Sequence, residues 1–253
     1  MTQVLVLEGI SKQFVDENVV CQALSDISCI IQKSEIVCLM GPSGCGKSTV
    51  LRILAGLETA DSGIAYGSNG TVLDTIHTSM VFQEHGLFPW LSVSDNIGYG
   101  LKMKIRSLTK EQVHKKVSEL ISLAHMESFA RSLPHQLSGG MKQRVSVARA
   151  LAVEPEILLM DEPFSALDPF SRRELQDEVL RIRNTLGTTF FIVTHNPEEA
   201  VYLADQIIIL TQRPAKVMKE IPVPFSHPRH MAEPEVMTLV REVTRLVASG
   251  SHS

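Results

Sequence analysis

No apolar run in the 253 residues approaches the about twenty that a membrane span requires, so no crossing helix is expected. No block of five or more like charges is present and the formal net charge is −4, which removes the electrostatic footprint of a nucleic-acid binder. The four cysteines, Cys21, Cys29, Cys38 and Cys45, form no Cys-x-x-Cys pair, so neither a zinc site nor a disulfide frame is predicted. The first residues, Met1-Thr-Gln-Val-Leu-Val, lack the charged start of a signal peptide, and the expected location is therefore the cytoplasm. With 44% hydrophobic residues, the chain can bury one large core or two smaller lobes.

What is present begins with a nine-residue loop: Gly41, Pro42, Ser43, Gly44, Cys45, Gly46, Lys47, Ser48 and Thr49. The apolar run Glu35-Ile-Val-Cys-Leu-Met40 before it reads as a buried strand, and Thr49-Val-Leu-Arg-Ile-Leu-Ala55 after it as a helix. Glycines at 41, 44 and 46 allow backbone angles that a Cβ penalises, so that amide N–H groups can turn inward onto phosphate oxygens. Lys47 then reaches the β- and γ-phosphates, Ser48 ligates Mg²⁺, and the helix N-terminus adds its positive end. Such a loop serves kinases, GTPases and ATPases alike.

A second constellation narrows that choice. Leu137-Ser-Gly-Gly-Met141 precedes Ile157-Leu-Leu-Met160, a strand by its length and lack of polar residues, which runs into Asp161-Glu162-Pro163. Asp161 at the strand end is expected in the Mg²⁺ shell, and Glu162 beside the attacking water. Ser138, Gly139 and Gly140 cap a helix over Met141 to Leu151, so free N–H groups, dipole and hydroxyl can face a phosphate. Thr189-Phe-Phe-Ile-Val193 reads as a strand, which sets His195 at a strand's C-terminal end, where open α/β sheets hold ligands. Asp168-Pro169 and Ser171-Arg-Arg-Glu174 both read as helix starts, with Leu175, Val179, Ile182 and Leu186 as the core stripe.

In order and spacing these motifs resemble the nucleotide-binding subunit of ATP-binding-cassette (ABC) transporters over nearly the whole chain. The resemblance implies an α/β fold: a P-loop NTPase (RecA-like) core with an N-terminal antiparallel β subdomain and an inserted helical signature subdomain. It implies one ABC ATPase domain, with residues 1–86 and 153–225 as nucleotide-binding core, 87–152 as helical subdomain and 226–253 as a helical tail. It also implies ATP and Mg²⁺ as cofactors. Phe14 resembles the aromatic that stacks on adenine, an ordinary core phenylalanine being the alternative reading. Gln83 resembles the glutamine that senses Mg²⁺ and water while relaying to the membrane subunit. Ser165-Ala-Leu-Asp168 resembles the loop that crosses to the partner, and His195 the switch histidine at the γ-phosphate.

In such proteins the signature of one subunit closes on the phosphate loop of another. All motifs being intact here, a homodimer with two sites is the simplest reading, and a heterodimer is the alternative. The implied partners are an integral-membrane permease and a periplasmic or lipid-anchored solute-binding protein, with the chain peripheral on the cytoplasmic face of the inner membrane. Leu87-Phe-Pro-Trp-Leu91, Leu203-Ala-Asp205 and Arg213-Pro214 resemble the nitrate, sulfonate and taurine branch of import ATPases, which includes carriers of pyrimidine precursors. A non-transport ABC ATPase is the alternative. Phe88-Pro89-Trp90 is a docking surface if exposed; otherwise Trp90 packs inside the helical subdomain. Two segments depart from the family pattern, the hairpin from Gly63 to Ile76 and the approach His77-Thr-Ser to the glutamine loop.

Overall fold

The computed structural model describes residues 3–16, 19–67, 78–104 and 108–250. Most of the departing hairpin, and His77, lie outside them. In chain order the elements are β1 (Gln3–Asp16), β2 (Val19–Gln32), β3 (Ile36–Met40), α1 (Lys47–Leu54), β4 (Ser62–Gly67) and β5 (Thr78–Val81). There follow α2 (Val93–Lys104), α3 (Lys110–Leu123), α4 (Gly139–Leu151), β6 (Ile157–Asp161), α5 (Pro169–Leu186) and β7 (Thr189–Val193). The chain continues through α6 (Pro197–Leu203), β8 (Gln206–Leu210), β9 (Val217–Pro222) and α7 (Pro234–Ser249).

Two sheets form. One is antiparallel, in the order β2-β1-β4; the other runs β5-β6-β7-β3-β8-β9. The second sheet is parallel throughout except for its last pair, β8 with β9. Strand β3 shows why its sequence lacks alternation: all five residues are buried, because both faces of a parallel sheet are covered. Ile36, Cys38 and Met40 join a core with the helices α2 to α7, while Val37 and Leu39 join a second core with α1, β1 and β2. The period of two therefore divides one short strand between two hydrophobic layers.

Local chemistry sets the helix ends. Asp168 caps α5 by accepting from Phe170 N and Ser171 N, both at 3.0 Å, with Pro169 at the first position, where its missing N–H costs nothing. Ser171 thus lies inside the first turn and starts no helix of its own, a correction to the sequence reading. Leu175, Val179 and Ile182 are buried as expected, but Leu186 is 53% exposed. It sits in the last turn, just before the left-handed Gly187 that ends the helix. Thr109 and Gln112 form a reciprocal capping box at α3. Helix α1 starts at Lys47, two residues earlier than its apolar pattern suggested, because the loop feeds into it directly through Gly46.

Helices α2, α3 and α4 lie in the chain between β5 and β6, which are hydrogen-bonded neighbours in register Thr78↔Ile157 to Val81↔Met160. Among the described residues no helix is long and apolar enough to cross a membrane.

Candidate functional site

The C-terminal ends of five adjacent parallel strands supply the site. In sheet order, β5 leads to Gln83, β6 ends at Asp161 with Glu162 next, β7 leads to His195, β3 to the glycine-rich loop and β8 to Arg213. Ser43, Gly44, Gly46, Lys47, Ser48, Thr49, Glu162, His195 and Arg213 line one cleft of ≈ 650 Å³. That volume falls within the usual range for a small-molecule site.

The loop is built by close approach. A Cβ on Gly46, whose φ is +123°, would stand 2.8 Å from Leu24 Cδ2 and 3.2 Å from Ala23 O, so only glycine lets the loop lie against β2. Lys47 is buried, and its ammonium donates to Gly41 O at 3.0 Å and Pro42 O at 2.9 Å. The loop's own carbonyls thus hold the cation beside the cleft. Cys45 is 1% exposed and burial pushes its thiol up, so its side chain packs in the core and only its backbone serves the loop.

Ser48 Oγ donates to Asp161 Oδ1 at 3.3 Å. Burial raises Asp161 above the ordinary carboxylate range, against the lowering effect of the Ser48 bond. A hydroxyl and a desolvated carboxylate side by side form the hard oxygen pair that suits Mg²⁺, an ion that takes few protein ligands and keeps waters and phosphate oxygens. Gln83 Nε2 donates to Ser165 Oγ at 3.5 Å, and its strand β5 neighbours β6, which ends at Asp161.

Glu162 adopts φ +44°, in the left-handed region, at a cost of about 1–2 kcal/mol for a residue with a Cβ. Its N–H donates to Val193 O at 3.0 Å, and its carbonyl accepts from Ser165 Oγ at 2.9 Å, so the strand ends hold this conformation. His195 Nδ1 lies 3.2 Å from Glu162 Oε2. The histidine thereby gives the carboxylate a fixed neighbour across the cleft.

Behind these loops lies a buried network that the sequence did not reveal. Thr194 Oγ1 donates to Glu199 Oε2 at 2.6 Å, Glu199 Oε1 pairs with Arg172 Nε at 3.6 Å, and Arg172 Nη2 donates to Leu167 O at 3.0 Å. It ties the residue before His195 to the residue before Asp168. In the sequence Arg213 stands out only as a branch feature, although it follows an apolar strand just as the other site groups do.

Gly41, Pro42, Cys45, Gln83 and Asp161 flank the cleft in sequence without lining it, and the signature residues, Phe14 and Trp90 are not in its lining either. Ser138 caps α4, accepting from Met141 N at 3.3 Å, and Ser138 and Gly139 are exposed. None of Ser138, Gly139 and Gly140 borders the chain's own phosphate cleft. Phe14 is 40% exposed, opposite Cys21 in the β1–β2 ladder, with Lys12 Nζ 5.4 Å from its ring centroid. Trp90 is 72% exposed, so it does not pack inside the helical subdomain. The loop bearing it is held from beneath by fully buried Asn96, which accepts from Phe88 N and donates to Phe88 O, Leu91 O and Ser92 O. Ser146 and Arg149 of α4 bind the carbonyls of His85 and Gly86, so the segment after Gln83 is fastened to the helix that Ser138 caps.

Phosphate loop, paired oxygen ligands and strand-end acid define a P-loop nucleotide hydrolase. A family model described as ABC transporter matches residues 24–165, and the chain belongs to that family, as an ABC ATPase. It is 41% identical over 233 residues to the aliphatic sulfonates import ATP-binding protein SsuB of Bacillus subtilis, covering 92% of this chain and 89% of that one. To the sulfate/thiosulfate import ATP-binding protein CysA of Bacillus cereus it is 45% identical over 213 residues, covering 81% of this chain and 58% of the relative. The solved dimeric post-hydrolysis state of the ATP-binding cassette MJ0796, bound to ADP and Pi, superposes with a TM-score of 0.76 at 31% identity. That match covers 88% of this chain and 100% of the other.

Proposed function

We propose that this chain is the ATP-binding and hydrolysing subunit of an importer for small solutes of the sulfonate class, driving a separate integral-membrane permease from the cytoplasmic side. The likeness to sulfonate and sulfate import ATP-binding proteins supports that substrate class. A solute-binding protein outside the membrane completes the assembly.

In this reading the backbone N–H groups of residues 43–49 and the ammonium of Lys47 hold the phosphates. Ser48, Asp161 and the Gln83 carbonyl hold Mg²⁺, which when bound supplies charge neutralisation to the phosphate oxygens. Glu162 orients and deprotonates the attacking water, and His195 steadies both Glu162 and the terminal phosphate. Phe14 carries the adenine. Ser138, Gly139 and Gly140 act on the nucleotide of a second copy, since they lie outside their own cleft. Closing two copies head to tail then excludes water and completes both sites, and hydrolysis releases them.

The observation that carries this reading is the strand-end array, with Glu162 held in a left-handed backbone 3.2 Å from His195. Replacing Glu162→Gln keeps the shape and removes the base. ATP binding is expected to persist while turnover falls by about 10²–10⁴. Turnover near the unsubstituted rate would take the base role away from Glu162. Purification from gently solubilised membranes is expected to recover a multispanning permease, and its absence would favour a non-transport ATPase.

A further inference from the structure

Arg213 belongs to the turn between β8 and β9, and that turn is fixed at several points. Thr211 N donates to Lys216 O at 3.0 Å, and Lys216 N to Thr211 Oγ1 at 3.0 Å. One residue past Pro214, Ala215 N donates to Ala23 O at 3.0 Å and Ala215 O accepts from Ser25 N at 2.9 Å. The glycine-rich loop reaches the same stretch of β2, because Gly46 lies against Ala23 and Leu24. Turn, strand and phosphate loop therefore meet around two residues.

From this anchored turn the guanidinium extends over the loop. Its Nε donates to Gly44 O, and its Nη1 to Cys21 Sγ at 3.5 Å. Cys21 is the ladder partner of Phe14, so one side chain bridges the phosphate loop and the strand of the aromatic. Arginine has five N–H donors in a rigid fork, and thiol sulfur is a weak acceptor. Among the described residues Nη2 makes no hydrogen bond, although the side chain is exposed and lines the cleft. Lys47 faces the same cleft from the other end of the loop, already occupied by two carbonyls. The cleft thus holds two fixed cations, and only one belongs to the glycine-rich motif.

We propose that Arg213 is a second phosphate-binding cation of this site, using its free donors on the nucleotide's phosphate chain while its Nε keeps Gly44 O in place. This rests on the nucleotide reading above and adds to it a contact from outside the loop. Arginine suits the role because the fork can hold the loop carbonyl and phosphate oxygens together, which a lysine ammonium does less well.

The test is calorimetric titration of the full chain with Mg²⁺-ATP and with inorganic tripolyphosphate, for the unsubstituted protein, Arg213→Gln and Arg213→Lys. Arg213→Gln is expected to weaken both ligands by the same factor, on the order of tenfold, as for one charged hydrogen bond. Arg213→Lys is expected to fall between the two, and it carries the test if the glutamine variant does not fold. Unchanged ATP affinity in a folded variant would overturn the proposal. So would a loss confined to ATP, which would move the effect from the phosphates to the adenine strand. If the unsubstituted chain binds no nucleotide, the reading beneath fails and this inference fails with it.

Discussion

Lys47→Ala removes the cation that the loop binds through its own carbonyls, and its effect can be worked out before any nucleotide is added. Each hydrogen bond from a charged donor contributes about 1.5–3 kcal/mol, so the pair to Gly41 O and Pro42 O amounts to roughly 3–6 kcal/mol gross. Two effects reduce this. Removing the buried ammonium recovers its desolvation cost, and the carbonyls left behind border an open cleft where water replaces the lost donor. A net destabilisation of about 1–3 kcal/mol remains. For a chain of this size each kcal/mol lowers the melting midpoint by about 2–4 °C, which gives a drop of roughly 2–12 °C without ligand. Saturating Mg²⁺-ATP is then expected to raise the unsubstituted midpoint, by about 2.7 kcal/mol of stability at a hundredfold excess over Kd, and to leave the variant unmoved. Differential scanning calorimetry with and without nucleotide measures both effects. A variant that melts like the parent when empty and still gains stability from ATP would refute the carbonyl-held lysine and its phosphate role together.

Asn96→Ala deletes four hydrogen bonds under the Trp90 loop and is expected to cost about 2–4 kcal/mol in urea unfolding, since the freed loop groups are left partly without partners; a loss below about 0.5 kcal/mol would contradict it. Trp90→Ala, at a largely exposed side chain, is expected to leave urea stability within about 0.5 kcal/mol of the parent while reducing recovery of the permease in pull-down; undiminished recovery would remove Trp90 from the docking surface. Burial holds His227 below its ordinary 6.5, with the Arg229 charge acting in the same direction. Between the folded and unfolded values the unfolded chain binds more protons, so this contribution is complete above 6.5 and is lost as pH falls toward the lower folded value. His227→Gln is therefore expected to lose less melting temperature between pH 7.5 and pH 5.5 than the parent, and equal losses would reject the assignment.

The parts of the site legible in the sequence are those whose chemistry needs contiguous residues. Glycines, Lys47 and Ser48 must follow one another for amides, ammonium and hydroxyl to surround a phosphate chain. Asp161, Glu162 and His195 could be found because each follows an apolar run that can only be a buried strand. Arg213 also follows an apolar strand, but nothing local directs it to the loop, since 169 residues separate it from Gly44 and only the fold brings them together. Arg172, Glu199 and Thr194 read as ordinary polar residues until α5 and α6 are packed. The exposure of Trp90 depends on Asn96 holding its loop, and that is a matter of three-dimensional packing. Leu186 fits the helical period as well as Ile182 does, but periodicity carries no information about where a core ends.

The mechanical consequence of stringing α2, α3 and α4 between β5 and β6 concerns force. Both tethers of that helical unit are anchored on adjacent strands, about 4.8 Å apart in the sheet, and the two anchors bear Gln83 and Asp161. A push on the unit arrives as a shear between a glutamine amide and a carboxylate, with little levering of the sheet as a whole. The carbonyl clamps from Ser146 and Arg149 fasten one tether to α4 itself. The helical unit is thus anchored beside the oxygen ligands, while the glycine-rich loop follows β3, two strands further along the sheet.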